Sequence, residues 1–142
     1  MKYRLSLLIG CLAVLLGVFT FASCNKKDKN DPDSGYSIVG SWRHYEVNKE
    51  GEFTEIVTFK SDETGTWSVS EGNGTTVYTL TYSFNSNTNE GNLMMIYTDP
   101  GTREKSYYPM NFKIKWFGTN NIVMSTRMDG DTEWTDEDFE RQ

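Results

Sequence analysis

Tyr108-Pro109-Met110-Asn111-Phe112-Lys113-Ile114-Lys115-Trp116 carries a large, mostly apolar side chain at every second position and a different class of residue between. A period of two marks a strand with one buried face, because successive side chains of an extended chain leave on opposite sides. Upstream, Tyr78, Leu80, Tyr82 and Phe84 alternate with Val77, Thr79, Thr81 and Ser83 in the same way. Both stretches are rich in aromatic and β-branched residues, which suit a pleated surface. No ten-residue window offers an amphipathic helix.

Working outward, the remaining chain is cut by clusters of Gly, Asn and Asp: Asn48 to Gly51, Ser61 to Gly65, Gly72-Asn73-Gly74, Asn85 to Asn92, Asp99-Pro100-Gly101, Gly118 to Asn121 and Asp129-Gly130-Asp131. Such residues tolerate the turn conformations that others resist. Eight strands fit between them, near residues 38–47, 53–60, 65–71, 75–84, 92–98, 106–117, 121–127 and 132–135. The links are too short for crossover helices, so neighbours pair antiparallel. Eight such strands can close on themselves and abolish exposed edges. The expected fold is therefore all-β, an eight-stranded antiparallel up-and-down barrel. Its interior set is Trp42, Val57, Phe59, Trp67, Val69, Tyr78, Leu80, Tyr82, Phe84, Leu93, Met95, Tyr97, Tyr108, Met110, Phe112, Ile114, Trp116, Ile122 and Met124.

Ahead of this domain, Lys2 and Arg4 lead into an apolar run from Leu5 to Phe21 and then Ala22-Ser23-Cys24. A basic start, a short apolar stretch and small residues before a cysteine suit a cleaved export signal better than a retained membrane helix. The pattern resembles a bacterial lipoprotein signal, which implies acylation of Cys24 and attachment to the outer membrane through lipid. Asn25 to Gly35 is polar and charged, and reads as a flexible tether. The expected layout is a signal peptide over 1–23, the lipidated Cys and tether over 24–36, the barrel over 37–135 and an acidic tail over 136–142.

Composition narrows the function further. Loss of Lys2 and Arg4 with the signal takes the net charge from −6 to −8, and an acidic chain without a basic cluster repels phosphate backbones, so no nucleic-acid partner is expected. With Cys11 removed and Cys24 acylated, the domain keeps no thiol for disulfides or nucleophilic catalysis. His44 is the single histidine, which removes Ser-His-Asp chemistry and His-rich metal sites. Asp129, Asp131 and Glu133 alternate oxygen ligands but lack EF-hand spacing, and read as a turn with a strand start. No catalytic residue, metal or cofactor is assigned.

Gly40-Ser41-Trp42 at the first strand, Val57-Thr58-Phe59 running into Ser61 to Trp67, and Ile122-Val123-Met124 after an Asn turn together resemble the lipocalin-like lipoproteins of Bacteroidetes. The resemblance spans roughly residues 38 to 127. It implies that Trp42 plugs one end of the barrel with Arg127 packed across it, Gly40 completing the motif. It also implies a small apolar or amphipathic ligand held between Trp67, Tyr82, Phe84, Met95, Tyr97, Met110 and Phe112. A chain so well supplied with rings can instead fill its own lumen, since an eight-stranded barrel is only just wide enough for side chains or one small ligand. In that alternative the domain is a protein- or glycan-interaction module. Tyr36, Tyr45, Tyr107 and Phe117 then fall on the outer face or its margins. Trp134 docks on the barrel.

Overall fold

The computed structural model describes residues 36–142 of the chain; the signal segment, Cys24 and the tether lie outside the described residues. Eight strands follow one another: β1 (Gly40–Asn48), β2 (Gly51–Phe59), β3 (Thr64–Glu71), β4 (Gly74–Asn85), β5 (Glu90–Thr98), β6 (Lys105–Trp116), β7 (Asn121–Met128) and β8 (Thr135–Arg141). Each pairs antiparallel with the next, and β8 returns to β1, so the sheet is a closed up-and-down barrel. The first seven strands begin and end within two residues of their sequence-derived limits.

The eighth strand differs. It is Thr135–Arg141 and not 132–135, so the stretch expected to be an acidic tail is the closing stave of the barrel. In it Glu137, Phe139 and Arg141 alternate with the exposed Asp136, Asp138 and Glu140. Only Phe139 of that phase is apolar, which hides the period of two from a hydrophobicity reading. Pairing of Ile122 with Phe139 and of Trp42 with Arg141 fixes its register on both sides.

Strand tilt sets what shares a level. Followed from Trp42, the pairing passes Val57, Trp67 and Tyr78 and, extended one position past the Thr79–Ile96 pair, Tyr97 and Ser106. Carried beyond the end of β7, it meets the line of β8 at position 129, whereas the residue paired with Trp42 on β8 is Arg141. That stagger inclines the strands to the barrel axis, as closure requires. Residues at one height are consequently not register partners, and Trp42, Phe59, Phe112 and Phe139 are all buried in the core.

The lower lumen is filled by rings. Phe112 stacks between Phe84 at 5.6 Å and Phe59 at 5.7 Å, and Tyr82 meets Phe59 edge-on at 4.9 Å. Gly91 makes room for this stack, since a Cβ there would stand 2.6 Å from the Phe112 ring and 2.2 Å from the Ser83 carbonyl oxygen. Ile38 and Phe139 join the core although neither belonged to the expected set, while Tyr97 and Tyr108 are only half-buried.

The base is closed by a strap from Tyr36 to Val39. Trp42 Nε1 donates to the Ile38 carbonyl at 2.8 Å, and Trp116 sits edge-on to both Trp42 (5.9 Å) and Tyr36 (5.7 Å). The cation over Trp42 is Arg141, at 4.3 Å, and not Arg127. Arg127 projects from the outer wall and lies 4.6 Å from the Trp134 ring, which docks there. The reason is parity: Arg127 follows the buried Thr126 and faces outward, whereas Arg141 shares the inward phase of Phe139. Arg141 also donates from Nη2 to Ser37 O (2.6 Å), Nη1 to Val39 O (3.1 Å) and Nε to Thr119 O (3.2 Å).

Two substitutions test this account of the base. Arg141→Ala removes three charge-assisted bonds and a cation–π contact, and is expected to lower stability by about 3 kcal/mol in urea titration, against under about 1 kcal/mol for Arg127→Ala. Equal effects would contradict the placement of the cation. Gly91→Ala should cost roughly 2–3 kcal/mol through overpacking against Phe112. A smaller loss in Gly91→Ala/Phe112→Leu than in Phe112→Leu plus Gly91→Ala taken separately would confirm the contact.

Candidate functional site

Of the seven residues expected to line a ligand pocket, Tyr82 and Met110 border one of the cavities described below and Phe112 another, while none of the three is lined by more than two of them. Phe112 and Trp67 are buried in the core. Phe84 is stacked on Phe112. The Tyr82 hydroxyl is spent on the Lys60 carbonyl at 2.6 Å. Met95, Tyr97 and Met110 are half-buried. Towards the end of the barrel opposite the strap, Tyr78 meets Tyr97 at 5.9 Å and Tyr108 at 6.0 Å, a ring cluster that caps the core.

Beneath that end lies an acid that apolar periodicity passes over. Glu55 is in phase with Val57 and Phe59 on β2 and is 9 % exposed. It faces Glu137, the inward acid of β8, while His44 of β1 stands between their strands as the register partner of Glu55. Burial first, then the charge and hydrogen bonding of Glu137, push Glu55 up to about 8, against a weaker opposite pull from the Trp67 indole. Glu55 Oε2 is buried and no donor of the described residues reaches it. Two carboxylates contain no donor, so a proton on the pair supplies the missing bond.

His44 is fixed by other contacts. Its Nδ1–H donates to the Asp138 carbonyl at 2.8 Å, and its ring meets Phe139 at 5.6 Å and Phe53 at 6.2 Å. Nε2 is 4.0 Å from Glu46 Oε2. Among the described residues no group of three or more His, Cys, Asp or Glu is arranged to hold a metal ion. Asp129, Asp131 and Glu133 are exposed on the segment between β7 and β8.

Depressions large enough for a ligand or a partner side chain lie on the outside of the wall. One of about 560 Å³ crosses β4, β5 and β6 between outward-facing Thr81, Asn92, Met94, Pro109 and Asn111, with Asp62, Glu63 and Asp129 at its rim. The Asp62 carboxyl is held below its usual range by the Thr64 hydroxyl and amide, which bond it at 2.6 and 3.1 Å. A second, of about 490 Å³, lies over β1, β8 and β7 and includes Tyr45 and Phe117, each about half exposed. A third, of about 280 Å³, lies beside Trp134. Tyr107 and Val77 are also exposed, whereas Tyr36 is half-buried against Trp116.

Comparison with protein-family models, with curated proteins and with solved structures gives no match to the chain. Its own geometry therefore carries the functional reading.

The acid pair makes a signed prediction. A carboxyl that keeps its proton to about 8 when folded, but loses it near its model value of 4.5 when unfolded, gives the folded state more bound protons between those limits. The contribution is harmless below about pH 4.5 and destabilises progressively as pH rises to about 8, by a total on the order of a few kcal/mol. Glu55→Gln, which keeps a donor toward Glu137, should match the parent near pH 4.5 and exceed it in Tm by a margin that grows up to about pH 8 and then levels off. Parallel Tm curves for parent and variant would exclude a shared proton.

Proposed function

We propose that this chain is a lipid-anchored, non-enzymatic recognition barrel of the bacterial outer membrane, which holds a protein or glycan on its outer wall. The observation that carries this reading is the contrast between the two sides of the sheet. Inside, Trp42, Phe59, Phe112 and Phe139 are buried to within a few per cent, and Phe112 is stacked between Phe59 and Phe84. Outside, ligand-sized troughs cross the wall and Tyr45, Val77, Tyr107 and Phe117 stand exposed. Rigid aromatic groups supply contact area at low entropic cost, which is why they concentrate at recognition surfaces. Lipid attachment at Cys24 and the tether that follows fit such a role, since they hold a wall free of the bilayer. The barrel form agrees with the resemblance to lipocalin-like lipoproteins of Bacteroidetes, and the acidic chain argues against a nucleic-acid partner.

A second reading, a small apolar or amphipathic ligand, is favoured by the half-buried Tyr78, Tyr97, Tyr108 and Met95 at the end opposite the strap. A ligand there rests on the ring cluster and not among Tyr82, Phe84 and Phe112. Uptake of the lipophilic dye N-phenyl-1-naphthylamine separates the two. The wall reading expects no saturable fluorescence gain with the purified protein. A gain that is lost in Tyr97→Asp, with the circular dichroism unchanged, would replace it with the lumenal one.

A further inference from the structure

Arg127, displaced from the role the sequence suggested, is left without an explanation inside the fold. Its guanidinium lies 4.6 Å from the Trp134 ring. Its Nε is buried and finds no hydrogen-bond partner. Among the described residues, the ion pairs are His44 with Glu46 and Lys113 with Glu90, so no carboxylate neutralises it. In a chain with 20 acidic side chains against 14 basic ones, an unpaired guanidinium under an indole is the group least accounted for by stability.

Its surroundings are those of a polar site. Asn92 pairs with Asn111 across β5 and β6, and Asn111 pairs with Arg127 across β6 and β7. All three face outward, so two carboxamides and a guanidinium form a single cross-strand row, spaced at about 4.8 Å per strand. The row borders the trough of about 280 Å³, which Trp134 closes on one side and the Lys113–Glu90 pair, at 3.0 Å, on another. Lys113 Nζ also lies 4.6 Å from the Trp134 ring, which holds the indole in place from a second strand.

We infer that this trough binds a carboxylate-bearing sugar, with the carboxylate on Arg127, ring hydroxyls on Asn111 and Asn92, and the sugar bordered by the rim of the Trp134 indole. The chemistry of each part selects that class. A guanidinium receives a carboxylate through paired N–H donors. Each carboxamide offers both a donor and an acceptor, which matches a hydroxyl that is both. With Lys113 and Arg127 over its ring, the Trp134 indole borders the trough with its apolar rim, beside which the C–H groups of a sugar can pack. The volume lies just under the smaller end of ordinary small-molecule sites, roughly 300 Å³, and so admits one sugar unit and not an extended chain within the trough. A simple anion would use Arg127 but neither amide nor the indole.

The inference rests on the reading of the outer wall as the recognition surface, and names one ligand class for it. The test is titration of the purified protein with glucuronate, glucose and acetate, followed by the indole N–H resonances of its four tryptophans, with Trp134 assigned through Trp134→Phe. Glucuronate is expected to shift the Trp134 signal saturably and leave buried Trp42 unmoved, with the affinity falling as salt rises. Glucose and acetate should each bind at least about ten-fold more weakly, and Arg127→Gln should weaken glucuronate by about ten- to a hundred-fold, the worth of a charge-assisted bond pair. Asn111→Ala, on an outward strand position, gives a second variant with the carboxylate contact intact and should bring glucuronate down towards acetate. No shift at tens of millimolar glucuronate, acetate binding as tightly as glucuronate, or affinity unchanged in both variants overturns the site. The dye measurement on the same samples keeps the two failures apart: absent dye uptake with no sugar response removes this trough and leaves the wall reading, whereas saturable uptake removes the wall reading itself.

Discussion

Closure of the barrel depends on how Trp42 and Arg141 meet. The seam between β1 and β8 is the shortest pairing in the sheet, with Trp42 opposite Arg141 and Arg43 opposite Glu140. So short a ladder supplies few backbone bonds, and a broken seam would expose two edges at once. Arg141 compensates by reaching past the seam to the carbonyls of Ser37, Val39 and Thr119, while its guanidinium covers the Trp42 ring. One side chain thus joins the last strand, the first strand, the strap ahead of it and the turn before β7. Gln142 N–H adds a backbone bond to Ser41 O at 2.9 Å just beyond it.

The lumen follows from that closure. Tilted strands make a barrel wider than the register lines alone suggest, and the width must be filled by side chains or left empty. Here Phe59, Phe84 and Phe112 stack across the lower half, and Gly91 gives way where Phe112 passes. An empty space of ligand size in the same place would cost several kcal/mol, comparable with the stability of a whole domain. A chain that spends its rings inward on packing keeps its outer wall rigid. Side chains on that wall stand at spacings set by the strand ladder, so their arrangement is fixed in advance of any contact.

Much of the fold is legible in the sequence because alternation of bulky and polar residues maps directly onto the two faces of a strand. Tyr78 to Phe84 and Tyr108 to Trp116 are clear for that reason, and the Gly, Asn and Asp clusters between strands place the turns. β8 is not, because Glu137 and Arg141 occupy inward positions that an apolar residue would ordinarily mark. The resemblance assigns the Trp42 cap to Arg127, although strand parity turns Arg127 outward once Met124 faces in. Glu55 is hidden on the same ground as β8: it is an acid in phase with Val57 and Phe59, as Glu137 is in phase with Phe139. The site beside Trp134 could not be read at all without coordinates, since Asn92, Asn111 and Arg127 come from three strands and are brought into line only by register.

Among the described residues the buried side-chain atoms without a hydrogen-bond partner are Glu55 Oε2 and Arg127 Nε, which are opposite in sign and lie on opposite sides of the sheet. Glu55 is within the lumen, where a carboxyl can escape its penalty by keeping a proton, and Glu137 is placed to share it. Arg127 has no such escape, because a guanidinium does not give up its proton under any physiological condition. Its charge must be met by water, by the face of Trp134, or by an anion from outside the chain. The indole covers part of that demand, since a cation over a ring gains about 0.5–2 kcal/mol. It does not supply an acceptor for the N–H groups. The acid pair can satisfy itself with one proton, whereas the guanidinium keeps a donor that no group of the described residues accepts, and that asymmetry separates the lumen from the outer wall.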